Sequence, residues 1–164
     1  MLACSGPDVI PPSLKSHVDQ QIDFAALRSN ISAYEGRLIL VGGEVLTAKR
    51  FRDHTQIEVL HCPLAAWLDP VRNRTRSQGR FLALQKDFLD PAIFPPGTRV
   101  TLVGEVTGSK TLPLDDVDYE YPVLSIHHLT VWPSIPISEA WSPFGYPWRT
   151  MNSWPIPIPP LPRH

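Results

Sequence analysis

Proline dictates where this chain can build regular structure. Of 19 prolines in 164 residues, Pro7, Pro11 and Pro12 stand near the start, seven interrupt residues 13–132, and nine crowd residues 133–164. The total is about twice the usual share. An interior proline costs a helix about 3 kcal/mol, so a long helical bundle is excluded. One uniform domain from end to end is excluded too. The distribution divides the chain into a Pro-rich tether over 1–20, a globular body over 21–132 and a Pro/Trp-rich tail over 133–164. Residues 5–14 show no periodicity. Their prolines favour an extended polyproline conformation, which spans roughly 30 Å at ~3.1 Å per residue.

Apolar residues make up 43 % of the chain and charged residues 19 %. A body of that composition buries roughly two-thirds of its unfolded surface. The net charge is −1, which gives no electrostatic reason to expect nucleic acid as a partner. No apolar run approaches the ~20 residues of a transmembrane helix. The cysteines are Cys4 and Cys62, which formally allow one disulfide. Cys62 ends the strand-like run Ile57-Glu58-Val59-Leu60-His61-Cys62 and reads as a small buried apolar residue.

The body opens with Asp23-Phe24-Ala25-Ala26-Leu27-Arg28, one or two helical turns capped by Asp23, with Phe24, Leu27 and Ile31 facing inward. From Tyr34 onward the pattern is β. Strands are expected over Arg37–Leu46, Thr55–Cys62, Arg80–Gln85, Arg99–Gly108 and Tyr121–Trp132. Ile57, Val59 and His61 share one face of the second. Gly42-Gly43 inside the first strand suggests a bulge or sharp coil. Residues 112–120, rich in Asp and Glu, read as an acidic loop. Leu40-Val41-Gly42-Gly43-Glu44-Val45 is echoed by Leu102-Val103-Gly104-Glu105-Val106, and two similarly bent strands suit the corners of a small closed barrel. The expected fold is all-β: an OB-like (oligonucleotide/oligosaccharide-binding) barrel of five or six strands with a short N-terminal helical turn and an irregular Pro/Trp-rich C-terminal tail. An open sandwich is the competing architecture.

Residues that could carry chemistry are few. His54, His61, Cys62, His127 and His128 lack paired zinc-type spacing, and adjacent strand residues point to opposite faces. The run Asp115-Asp116-Val117-Asp118-Tyr119-Glu120 lacks the glycine and glutamate that an EF-hand loop needs. There is no nucleophile elbow, phosphate-binding glycine loop or H-E-x-x-H. No enzyme activity, metal or cofactor is therefore expected. The basic loop is the remaining candidate: Arg72, Arg74, Arg76 and Arg80 fall within nine residues. They could contact anionic phospholipid or lipopolysaccharide phosphates, with nucleic acid an unlikely partner beside Asp69 and the acidic run. The tail carries Trp141, Trp148 and Trp154 and ends in a polyproline stretch over 155–162. Disorder, packing over the barrel, an interfacial membrane position and docking into a partner's aromatic groove all remain open to it.

Several segments together resemble one family. Tyr34-Glu35-Gly36-Arg37 with Val41-Gly42-Gly43-Glu44-Val45, Pro63-Leu64 with Leu68-Asp69, and Gly79-Arg80-Phe81-Leu82-Ala83-Leu84 come first. Phe88-Leu89-Asp90-Pro91, Gly97 to Gly104, and Tyr119-Glu120-Tyr121-Pro122-Val123-Leu124 ending at Trp132 follow in order. They resemble the Slp family of bacterial outer-membrane lipoproteins over about Phe24 to Trp132. The resemblance gives Leu2-Ala3-Cys4-Ser5 a meaning, because it is similar to the end of a lipobox. A complete leader also carries a basic start and an apolar stretch of about 7–15 residues, for which Met1–Ala3 is too short. What the resemblance implies is lipid attachment at Cys4, a membrane contact through that anchor, and a place on the periplasmic side of the outer membrane. Ser5 after the cysteine resembles the outer-membrane sorting pattern. The implied role is non-enzymatic, a structural or stress-linked interaction in the envelope with a protein or lipopolysaccharide partner. A barrel that binds a glycan, lipid or oligonucleotide is the alternative. Oligomeric state is not legible.

Overall fold

Strand pairing in this computed structural model, which describes residues 9–133, closes on itself. Six strands occur in chain order: β1 (Val18–Asp19), β2 (Leu38–Arg50), β3 (Thr55–His61), β4 (Arg80–Gln85), β5 (Arg99–Leu114) and β6 (Val117–Trp132). One short helix, α1 (Phe24–Ser29), precedes β2. The sheet order is β1-β2-β3-β4-β6-β5, and β2 also pairs with β5. That last pairing turns β2 to β6 into a five-stranded barrel, with β1 added in parallel along β2. β4 and β6 run parallel while the other barrel pairs are antiparallel, which is the Greek-key arrangement of an OB-like barrel. The closing pair decides against an open sandwich.

The echoed glycine segments lie on the two strands of that closing pair, with Leu40 opposite Val103 and Val41 opposite Leu102. Gly42 and Gly43 do not mark the bulge expected of them. Both sit within a regular ladder, and the register shift of β2 falls between Val45 and Thr47. The glycines are there because neighbours come too close for a side chain. A Cβ on Gly43 would run into the Leu60 carbonyl, and one on Gly42 into the Leu64 side chain.

Alternation on β3 places Thr55, Ile57, Val59 and His61 inward. Ile57 and Val59 meet Ile39, Val41 and Val45 of β2, Phe81 and Ala83 of β4, and Val100, Leu102 and Leu124 of the remaining strands. Helix α1 seats itself in this core. Its six residues are too few to be stable alone, so packing holds it: Phe24 and Leu27 are buried, and the Asp23 carboxylate accepts a hydrogen bond from the Ala25 amide at 3.0 Å. Phe24 stacks on His61 with ring centroids 4.1 Å apart and tilts against Phe81 at 5.8 Å. The barrel interior is therefore filled by side chains.

Two segments differ from the sequence reading. Residues 112–120 form no open loop. They are the end of the β5–β6 hairpin, paired from Leu112–Tyr119 to Leu114–Val117, so that only Asp115 and Asp116 turn. Asp115 takes a left-handed φ of 54°, which short polar side chains tolerate. The long hairpin places Leu112 and Tyr119 on an outer cluster with Leu82, Tyr121 and Val123, and burying that apolar surface extends the strands. Residues 9–14, expected to be extended, instead turn back on the barrel. The Leu14 amide donates to the Pro11 carbonyl at 2.9 Å, and Val9 and Ile10 are buried with Val18, Leu40 and Val103. Two adjacent β-branched apolar residues gain more from that wall than from water.

Candidate interaction face

Of the four arginines proposed to meet anions, two are already engaged. The fork of Arg74 grips the Glu44 carboxylate, donating from Nε at 2.9 Å and from Nη2. Arg80 donates from Nη1 to Glu58 Oε1 at 2.8 Å, and the Tyr121 hydroxyl donates to the same oxygen at 3.2 Å. Both guanidiniums are held above their ordinary pKa by these carboxylates. Burial, with Glu58 behind it, pushes the Tyr121 phenol up. Arg72 and Arg76 are exposed and form no ion pair among the described residues. The loop thus offers two free cations, at its ends, with Arg74 pinned between them.

The pairing carboxylates escaped the sequence reading because they lie 30 and 22 residues from their arginines. Only strand register brings Glu44 and Glu58 to them. A second feature was also missed. Residues 64–70 form a small built loop, with Leu64 bridged to Pro70 and the Ala65 amide donating to the Asp69 carbonyl at 2.8 Å. Leu68 takes a left-handed φ of 64°, a costly state for a γ-branched residue. It is held there by bonds on both sides, its amide to the Ala65 carbonyl at 2.9 Å and its carbonyl accepting from Thr101 Oγ1 at 2.7 Å. Arg99 ties the loop's end, donating to the Pro70 carbonyl at 3.2 Å and lying 3.6 Å from the Asp69 carboxylate. This frame presents Trp67, which is 82 % exposed. A tryptophan flanked by Pro63 and Pro70 was the available signal.

Leu64 and Leu68 pack against the cluster of Val9, Ile10, Val18, Leu40 and Val103, and so does Trp132. The Trp132 indole donates to Thr101 Oγ1 at 2.9 Å. One wall of the barrel, the outer side of β2 and β5, therefore receives both ends of the described chain. Cys4 and the tail lie outside the described residues. Cys62 is buried with a free thiol, and burial beside Glu44 pushes its pKa up. That matches the apolar reading of Cys62. Among the described residues no helix is long and apolar enough to cross a membrane.

The profile of the outer membrane lipoprotein Slp family matches residues 1–156. An uncharacterized lipoprotein, YeaY, of Escherichia coli K12 is 29 % identical over 160 residues, covering 88 % of this chain and 81 % of its own. The outer membrane protein Slp of the same strain is 28 % identical over 134 residues, covering 80 % and 69 %. Among solved structures, a small single-stranded DNA-binding protein from Streptomyces coelicolor aligns with a TM-score of 0.39 at 13 % identity, over 57 % of this chain and 92 % of that one. That similarity is too slight to carry an argument. The family match spans nearly the whole chain: this protein belongs to the outer membrane lipoprotein Slp family.

Proposed function

We propose that this protein is a non-catalytic, lipid-anchored module on the periplasmic side of the outer membrane, acylated at Cys4, and that it works by contact with other envelope components. The observation that carries the reading is the placement of Leu2-Ala3-Cys4-Ser5 just ahead of Val9, where the chain docks on the barrel. A single acyl chain binds a membrane marginally and two bind stably, so a multiply acylated cysteine would hold the domain there. The filled barrel supports an interaction role over an interior ligand site, since Phe24, Phe81 and Phe94 occupy the core. A tether over 1–20 whose residues 9–19 dock on the barrel, a body to 132, a tail beyond it and the stress-linked role are part of the same proposal. Arg72 and Arg76 are the cations available to anionic headgroups, while Arg74 and Arg80 would first have to release their glutamates.

The test is expression from the natural gene, including the sequence upstream of Met1, followed by density-gradient separation of the membranes. The native protein is expected with the outer membrane and Cys4→Ala in the soluble periplasm. A native protein found soluble and unmodified in the cytoplasm would overturn the reading.

A further inference from the structure

We infer that the loop over 64–70 is a second, non-covalent membrane contact, in which Trp67 enters the headgroup region of the bilayer that holds the anchor. The inference rests on the proposed attachment at Cys4 and extends it to an interaction surface. Three observations carry it.

The first is reach. Val9 lies five positions after Cys4, and a fully extended chain spans at most about 3.6 Å per residue, so roughly 18 Å. Val9 is buried in the wall cluster against which Leu64 and Leu68 pack. Val9, which shares this wall with Leu64 and Leu68, is thus held within that distance of Cys4. The second is construction. Trp67 is 82 % exposed, yet it stands on a loop fixed by the Leu64–Pro70 bridge, the Thr101 hydroxyl and Arg99. A rigid mount loses little entropy on insertion, and an indole with an apolar body and one N–H suits the membrane–water interface. The third is charge. Arg72 lies two residues past the loop, and Arg72 and Arg76 have no ion-pair partner among the described residues, which suits anionic lipid.

The test uses the full chain coupled through Cys4 to a maleimide-bearing lipid in phosphatidylcholine vesicles that contain phosphatidylglycerol. The buried Cys62 thiol does not compete for the label. Tryptophan emission of the native chain and of Trp67→Phe is compared, with nitroxide lipids quenching near the headgroup and iodide quenching from the water. Subtraction isolates Trp67, one tryptophan of five, from the contributions that both chains share. Circular dichroism verifies that the substituted chain is folded. The expected difference emission is blue-shifted, quenched by the shallow nitroxide and shielded from iodide. A difference emission that stays open to iodide and untouched by the nitroxide overturns the inference, and this includes the outcome in which the loop meets a protein instead. Because the anchor is supplied chemically, an unacylated Cys4 in cells would overturn the proposed function and leave this result standing.

Discussion

His61 lies on the inward side of β3 with its ring stacked on Phe24 and its Nδ1 buried without a hydrogen bond. Burial lowers its pKa from 6.5 to about 4, against a smaller upward pull from the Asp23 carboxylate. The folded state therefore favours the neutral ring, and the unfolded chain binds the proton first as pH falls. The stability this preference contributes is present above about 6.5 and lost as pH drops toward 4. Between pH 7.5 and pH 5 the loss is about 2 kcal/mol. Urea denaturation at the two pH values checks it, with His61→Leu removing that part of the dependence. An unchanged pH dependence in His61→Leu would contradict the assignment. The inward position of His61 was legible from strand alternation, because a period of two needs only the local pattern. The ion pairs of Arg74 and Arg80 were not, because they depend on register between strands.

At the scale of elements, the short helix is the part whose role is clearest. α1 closes the core through Phe24 and Leu27, and Phe24 meets both His61 of β3 and Phe81 of β4. Phe24→Ala is expected to cost about 3–5 kcal/mol, the range for emptying a large aromatic site in a core. Thermal denaturation reads this directly, and a loss under 1 kcal/mol would mean that the helix only lies against the barrel. The Asp23 cap and the inward faces of Phe24, Leu27 and Ile31 followed from local sequence. The β5–β6 hairpin did not. Its acidic residues resemble a solvated loop, and the strands continue because Leu112, Tyr119 and Tyr121 bury against Leu82 on the outer face. Residues 9–14 are a parallel case: proline suggested extension, but burial of Val9 and Ile10 bends the segment onto the wall.

On the scale of the whole molecule, proline density suggested a separate tether, but residues 9–14 pack on the barrel and β1 joins its sheet. The barrel is closed by β2 and β5, filled from within, and it receives both ends of the described chain on one outer wall. Trp67 stands beside that wall on a loop built to hold it out. The chain belongs to a family of outer membrane lipoproteins, and the proposed anchor at Cys4 would bring that wall to the bilayer. The measurement that tests the account most directly is the mass of the N-terminal peptide of the native protein recovered from outer membranes. The account predicts a peptide that begins at Cys4, with acyl chains on the residue's thioether-linked glycerol and on its amino group. A peptide that retains Met1–Ala3 and carries Cys4 as a free thiol would contradict it.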